Sequence, residues 1–189
     1  MTHQSMIALE AGLDAVGESP SDGGAVKLIV RRPSIGERET VAVGELSLTE
    51  GLVGDNWQHR GSSRTDDGSA HPEMQLNLMN SRVADLVAVG VERWPLTGDQ
   101  LFVDLDLSFE NLPPRTRLGL GSAVIEVTPE PHTGCNKFVA RFGLDAVKFV
   151  NSERGRQLRL RGLNAKVVQP GTVRVGDTIR KLDASSETL

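Results

Sequence analysis

The chain has 189 residues, 38% of them hydrophobic and 24% charged, which is typical of a single soluble globular domain with its own core. The net charge of −4 gives no overall basic surface and therefore disfavours nucleic acid as a partner. A single cysteine excludes an internal disulfide and indicates a reducing compartment. Because no apolar run approaches the roughly 20 residues of a membrane span and no signal-peptide pattern is present, we expect no membrane association and a cytoplasmic location.

The first part of the chain is predicted to begin with a helix and to continue as strands. A partial apolar face over residues 6–17 predicts a short helix, which the turn residues at 19–24 end. Beta-branched or alternating apolar residues then predict strands at 25–31, at 40–48 and at 74–79.

A tight turn at 51–57 and a polar stretch from His59 to His71 separate the second and third of these strands. The polar stretch has no core-forming pattern, and loops of this length are usually functional or disordered. Arg60 and Arg64, with His59, are candidates for an anion pocket, because arginine forks match phosphate geometry. A solvated loop is the alternative that composition alone favours.

The second part of the chain alternates short helices with strands. Asn80 or Ser81 is predicted to cap a helix that runs to about Val89. Residues 136–150 carry apolar side chains at helical spacing, with a break expected at Gly143, and a short helical piece is expected near 155–157. The remaining predicted strands are at 101–105, 116–120, 123–128, 163–168 and 172–180.

Many short strands with few short helices predict a mixed α/β, β-rich domain, built as a β-barrel with a few peripheral helices. We assign residues 1–24 to a short helix and turn, residues 25–181 to the domain and residues 182–189 to a polar tail that need not be ordered. Gly-Asp recurs at 54–55, 98–99 and 176–177, and its irregular spacing indicates turn chemistry rather than a repeat.

The only cysteine, Cys135, lies at the predicted start of the helix over 136–150. Unpaired backbone N–H groups at a helix start, together with Lys137 two residues on, favour the thiolate, which is the form that attacks or binds metal. Gly134 lets a backbone or a ligand approach closely. His132 is a candidate base or a second positive neighbour. The alternatives are a small buried hydrophobic residue for Cys135 and a solvated turn residue for His132.

Other site chemistries find less support. A zinc site would combine Cys135 with His59, His71 and His132, but only His132 and Cys135 have the close spacing of a structural site. A cysteine peptidase needs a distant histidine and asparagine that nothing marks.

Two groups of cations lie after the cysteine. Lys137 and Arg141, four residues apart, share one helix face, where an anion would meet both cations and the helix dipole. The arginines at 154, 156, 159 and 161 form a basic cluster, and most such runs are solvated faces.

The cysteine block 131–138, Pro-His-Thr-Gly-Cys-Asn-Lys-Phe, followed by Arg-Phe-Gly at 141–143, resembles the MOSC domain family, which is named for the C-terminal part of molybdenum-cofactor sulfurases. The cysteine block is the most specific part of the resemblance, which covers about residues 25–180 in family order. Further matching segments lie at 51–55, 98–101, 111–113, 119–121, 123–127, 161–168 and 175–177.

The resemblance implies a β-rich fold around a strongly bent or barrel-like sheet. It also implies that Cys135 occupies the position that carries sulfur or binds molybdenum in the molybdenum cofactor, molybdopterin. This cofactor ends in a phosphate, so its site needs a soft thiolate and cations. The candidates for cofactor binding beside Cys135 are Arg60, Arg64, Asn136, Lys137 and Arg141, and His132 is the candidate for a catalytic role beside the cysteine.

Reductive members of the family imply reduction of N-hydroxylated compounds with electrons from a partner protein. A persulfide carrier that receives sulfur from a cysteine desulfurase is a second hypothesis, because the chain has no pyridoxal phosphate domain of its own to release sulfur. We also expect no counterpart of the additional N-terminal domain of the mitochondrial-type reductases. A binding module that keeps the fold without catalysis is a third hypothesis. The sequence leaves the oligomeric state open.

Overall fold

The computed structural model describes residues 3–183. Within them the chain forms short strands connected by helices and turns, as the sequence predicts. The strands are β1 (Gly24–Arg31), β2 (Glu39–Val41), β3 (Val43–Ser47), β4 (Gly51–Leu52), β5 (Leu76–Asn80), β6 (Leu101–Asp104), β7 (Arg117–Leu120), β8 (Ala123–Val127), β9 (Leu163–Gln169), β10 (Gly171–Arg174) and β11 (Thr178–Leu182).

Six α-helices accompany the strands: α1 (Met6–Ala11), α2 (Leu13–Gly17), α3 (Trp57–Arg60), α4 (Ser81–Ala88), α5 (Asn136–Asn151) and α6 (Glu153–Gln157). Two 3₁₀ helices cover Pro72–Met74 and Val91–Thr97. Among the described residues, no helix is both long enough and apolar enough to cross a bilayer.

Seven strands close into a β-barrel in the order β1, β6, β5, β9, β8, β7 and β11, and β11 returns to β1 through the pair Gly24–Ile179. Neighbouring strands are antiparallel except β5 and β6, which are parallel and are connected through α4. Strand β2 extends the sheet outward from β1. The fold prediction, a β-rich mixed α/β barrel, is therefore confirmed.

The barrel interior and the helical layer each have an apolar core. Alternation along β8 turns Ala123, Ile125 and Val127 inward, and a second small sheet of β10, β3 and β4 adds Leu46 and Val173 to the same core. Outside the barrel, α5 packs against α4 and α1 through a separate buried cluster. Its apolar side chains include Leu9, Val83, Val87, Phe102, Phe138, Phe142 and Phe149.

Two predicted elements are divided in the structure. The helix predicted over 6–17 breaks at Gly12 into α1 and α2, and a β-carbon at Gly12 would overlap the Leu86 methyls. The strand predicted over 172–180 breaks at Gly176, whose φ of +95° turns the chain, so β10 and β11 belong to different sheets. Residues 184–189 of the predicted tail lie outside the described part.

The break expected at Gly143 is confirmed, since this residue has φ +88° and ψ 171° inside α5. The first two turns of the helix, which follow the cysteine, therefore point in their own direction. The Nη2 group of Arg93 donates to the carbonyl of Arg141 at 3.2 Å, just before the break. His3 packs against Gly143, where a β-carbon would lie 2.7 Å from its Nδ1.

Candidate functional site

The cysteine segment, the start of α5, the loop after α3 and the end of β1 surround a cavity of about 320 Å³. This volume is at the lower end of the roughly 300–1,000 Å³ of small-molecule sites. No aspartate or glutamate is among the described residues that line it. The cations in its wall are Arg32, Arg38, Arg60, Arg64, Lys137, Arg141 and Arg161.

Cys135 is the N-cap residue of α5 and lies exposed in the cavity wall. Its carbonyl accepts from the backbone N–H groups of Phe138 and Val139 at 2.8 and 3.1 Å, while its side chain makes no capping hydrogen bond. The cysteine was predicted just inside the helix start and is found one residue before it. Its exposure excludes the alternative of a small buried hydrophobic residue.

The loop before the cysteine is fixed from the far end of α5. The Asn151 side chain accepts from the Gly134 N–H at 2.9 Å and donates to the Gly134 carbonyl at 3.0 Å. A β-carbon at Gly134 would lie 2.8 Å from a methyl of Val147. The glycine therefore permits close approach of the loop to its own helix.

His132 is neutral in the fold and its ring is engaged on both sides. Nδ1 lies 3.1 Å from the Asn77 amide nitrogen, which donates to it, and Nε2 lies 3.5 Å from Oδ1 of Asp99. Burial and the positive charge of Arg161 lower the pKa of His132 to about 3. At neutral pH the residue therefore supplies no positive charge to Cys135, and a catalytic role remains a prediction.

Two arginines of the wall are buried and paired with aspartates, and we call Arg32 and Arg161 the inner arginines. Arg32 donates from Nε and Nη2 to the two oxygens of Asp55 at 2.7 and 2.8 Å. Arg161 donates from Nη1 to both oxygens of Asp99 at 2.9 and 2.7 Å. Burial raises the pKa of Asp99, but Arg161, His132 and the Thr97 hydroxyl together outweigh it and hold this pKa below the ordinary value.

Arg38 and Arg141, which we call the outer arginines, have no carboxylate partner among the described residues. Arg38 donates from Nε to the Pro95 carbonyl at 3.1 Å, and Arg141 donates from Nη1 to the Leu96 carbonyl at 2.6 Å. Burial and then the positive charges of Arg141 and other nearby arginines lower the pKa of Arg38.

The backbone at residues 95–98 holds all four of these arginines. Its four consecutive carbonyls accept from Arg38 at Pro95, from Arg141 at Leu96, from Arg161 at Thr97 and from Arg32 at Gly98. The 3₁₀ helix that ends at Thr97, followed by Gly98 with φ +97°, presents the carbonyls in this way. One short segment therefore orients most of the positive charge in the wall.

The loop cations differ from one another. Arg64 forms an exposed ion pair with Glu130 at 2.9 Å. The side chain of Arg60, the last residue of α3, has no hydrogen-bond or ion-pair partner in residues 3–183, and neither has that of Lys137 in the first turn of α5. Arg60 is exposed, but partial desolvation at the cavity wall and the nearby Arg32 lower its pKa. Both unpaired side chains are thus available to an anion.

The remaining predicted residues lie away from the cavity. Asn136, the first residue of α5, is exposed and does not line the cavity. His71 accepts at Nδ1 from the Glu73 N–H at 3.2 Å and caps a 3₁₀ helix. Residues 3–183 contain no group of three or more His, Cys, Asp or Glu that could hold a metal ion, so the zinc alternative lacks a ligand set.

The MOSC domain family model matches residues 69–180, which is more than half of the chain and includes the cysteine segment. The chain belongs to the MOSC domain family. No functionally described protein matched it in a sequence comparison.

Solved structures share the fold of this MOSC domain at low sequence identity. YuaD from Bacillus subtilis is 15% identical, with a TM-score of 0.62 over 82% of this chain and 93% of that one. YiiM from Escherichia coli is 19% identical, with a TM-score of 0.56 over 87% of this chain and 72% of that one. Arg32, Arg38 and Arg60 precede the region that the family model matches, although they form one wall of the cavity.

Sequence reasoning missed the residues that organise the site of this MOSC domain. The prediction of a solvated basic cluster is wrong for Arg161, because its side chain is only 8% exposed and is paired with Asp99. Asp55 and Asp99 were interpreted as turn residues, and their glycines do have positive φ, but both carboxylates are buried counter-charges. No local signal marks these pairs, because each joins residues that are distant in the sequence.

Proposed function

We propose that this MOSC domain binds the molybdenum cofactor in the cationic cavity, with Cys135 as the thiolate ligand of the metal. The observation that supports the proposal is an exposed thiol, the only one in the chain, in the wall of a cavity that seven cations and no carboxylate of residues 3–183 line. A thiolate suits a soft metal, and a cationic wall suits a terminal phosphate, so the residues present fit the cofactor.

The protein's own residues would bind and orient the cofactor. Arg60 and Lys137 have no partner and are the first candidates for its phosphate, with Arg64 and Arg141 as further candidates. Asn136, beside the cysteine, lies outside the cavity lining and would act only through a shift of its side chain. Burial and the charge of Arg161 hold His132 neutral. The Asn77 amide and Asp99 engage its two ring nitrogens, so a catalytic His132 would have to release one of these contacts.

The bound cofactor would supply two-electron chemistry at the cysteine. For an N-hydroxylated substrate, the N–O bond breaks, two electrons and two protons are consumed, and an amine and water are released. The electrons would come from a redox partner protein. The cavity wall would bind the substrate beside the thiol and limit access of water.

Co-expression with the cofactor-synthesis enzymes tests the proposal. The purified protein is analysed for molybdenum by elemental analysis and for pterin by fluorescence after oxidation. We expect wild type to retain both, and Cys135→Ala and Cys135→Ser to lose most of the molybdenum. Arg154→Gln, an exposed cation outside the cavity, is the matched control and should retain both.

Absence of molybdenum and pterin from wild type would contradict cofactor binding. Equal molybdenum in wild type and Cys135→Ala would show that the metal has another ligand. Circular dichroism of the same samples shows whether each protein is folded and so separates either result from misfolding.

A persulfide carrier is the second candidate, because Cys135 is exposed and reachable by another protein. A cysteine desulfurase with free cysteine would transfer one sulfur atom to the thiolate and release alanine. The intact mass of wild type would then rise by about 32 Da, reversed by a reductant, while Cys135→Ser would stay unchanged. Failure of both cofactor and sulfur loading would favour a binding module without redox chemistry.

A further inference from the structure

The charges in the cavity wall are only partly neutralised by the protein. Three of the wall's cations have carboxylate partners: Arg32 with Asp55, Arg161 with Asp99, and Arg64 with Glu130. Within residues 3–183 the other four have none, and no acidic residue lines the cavity between them. The four unneutralised cations are Arg38, Arg60, Lys137 and Arg141.

A terminal phosphate carries about −1.5 to −2 charges near neutral pH, so one phosphate neutralises about two of the four cations. Arg60 and Lys137 are sufficient for that phosphate. Two positive charges would remain in a partly desolvated wall, where like charges repel more strongly than in water. The wall therefore has the charge to hold a second dianion together with the first.

Arg38 and Arg141 form the subsite that suits this second anion. Both side chains line the same cavity, and adjacent carbonyls, those of Pro95 and Leu96, each accept one hydrogen bond from the pair. Each guanidinium has five N–H donors, and most of those in Arg141 are left free by its single bond to Leu96. An arginine fork matches the geometry of phosphate oxygens, and two forks together can bind more of these oxygens than one.

We propose that Arg38 and Arg141 bind a phosphate group of the substrate, so that the substrate is a phosphorylated compound bound beside the cofactor. The proposal rests on the proposed function and names its substrate class. It also moves Arg141 from the cofactor's phosphate to the substrate's phosphate.

The test uses the cofactor-loaded protein with inorganic phosphate as the probe, in a buffer without other oxyanions. Isothermal titration measures phosphate binding, and molybdenum and pterin are measured on the same samples. We expect Arg38→Gln and Arg141→Gln to bind phosphate about 10- to 100-fold more weakly than wild type. Arg38→Gln, which is not a candidate for the cofactor's phosphate, should keep its molybdenum and pterin. Arg154→Gln is the control for lost surface charge and should bind as wild type does.

Three outcomes would overturn the proposal. Loss of pterin and molybdenum in Arg38→Gln and Arg141→Gln would mean that this pair holds the cofactor's own phosphate. No phosphate binding by the loaded wild type would mean that no second anion is accepted. Equal weakening in Arg154→Gln would mean that binding reflects net charge alone.

Failure of the proposed function gives a different pattern. If wild type takes up no molybdenum, the same titrations are made on the protein as purified, with Arg60→Gln added. Phosphate binding that weakens about tenfold in Arg38→Gln and Arg141→Gln, and less in Arg60→Gln, still supports the subsite. Binding that depends on Arg60 as much as on Arg38 overturns it.

Discussion

The inner and outer arginines are the same residue type, held by the same four backbone carbonyls, yet their surroundings differ in one respect. Arg32 and Arg161 each have a buried aspartate, whereas Arg38 and Arg141 have no carboxylate within the described structure. An arginine whose charge is neutralised by a buried aspartate stabilises the fold and attracts an anionic ligand only weakly. An arginine held by neutral carbonyls keeps its full positive charge, which attracts an anionic ligand. Three changes test this difference.

The largest effect is expected from removing an inner counter-charge. Asp99→Asn leaves Arg161 buried without its carboxylate, and breaking a buried pair in this way costs about 3–5 kcal/mol. Urea unfolding followed by circular dichroism measures the loss. Asp66→Asn, in the exposed loop, is the control and should change little. A loss below about 1 kcal/mol would mean that the inner pair is not needed by the fold.

A smaller effect should appear as a pH dependence of stability through His132, which faces Asp99, Arg161 and Arg32. Because the pKa of His132 in the fold is lowered to about 3, this side chain is protonated below pH 6.5 in the unfolded chain but stays neutral in the folded chain. Its contribution is therefore complete above pH 6.5 and is lost as the pH falls toward the folded pKa. We expect about 2 kcal/mol to be lost between about pH 7.5 and 5.

Urea unfolding at several pH values measures this dependence. His132→Gln should flatten the curve in that pH range, whereas His59→Gln, at an exposed position, should leave the wild-type slope. A His132→Gln curve as steep as that of wild type would contradict the lowered pKa.

The smallest effect on stability is expected at the outer arginines. Arg38→Gln and Arg141→Gln should change the free energy of unfolding by less than about 1 kcal/mol in a buffer without phosphate, because no carboxylate loses its partner. In phosphate buffer, wild type should gain stability by ligand binding and the variants should gain less. Losses as large as that of Asp99→Asn would make the outer arginines structural and would remove the contrast.

The sequence was sufficient for much of the fold and for the location of the site. Alternation predicted the hairpin of β7 and β8, and Asn80 caps α4 through bonds from Arg82 and Val83. Periodicity around Gly143 predicted the broken α5. The cysteine block led to Cys135, and the cations predicted around it line one cavity. The polar candidate Asn136 does not line it.

The rest depends on contacts between distant segments. Closure of the barrel through Gly24 and Ile179 cannot be read from local patterns, because it depends on the register of all seven strands. The same is true of Arg32 with Asp55 and of Arg161 with Asp99, which lie 23 and 62 residues apart. Local patterns identify the candidate charged residues, whereas the arrangement of the strands determines which of these charges form pairs.

The row of carbonyls at residues 95–98 has a consequence for the entropy of binding. A free arginine side chain gives up about 2 kcal/mol of rotamer entropy when a ligand immobilises it. Arg38 and Arg141 are already immobilised by Pro95 and Leu96 when the chain folds, so an incoming anion meets donors that need little further ordering. The cost of arranging the site therefore falls on folding rather than on each binding event.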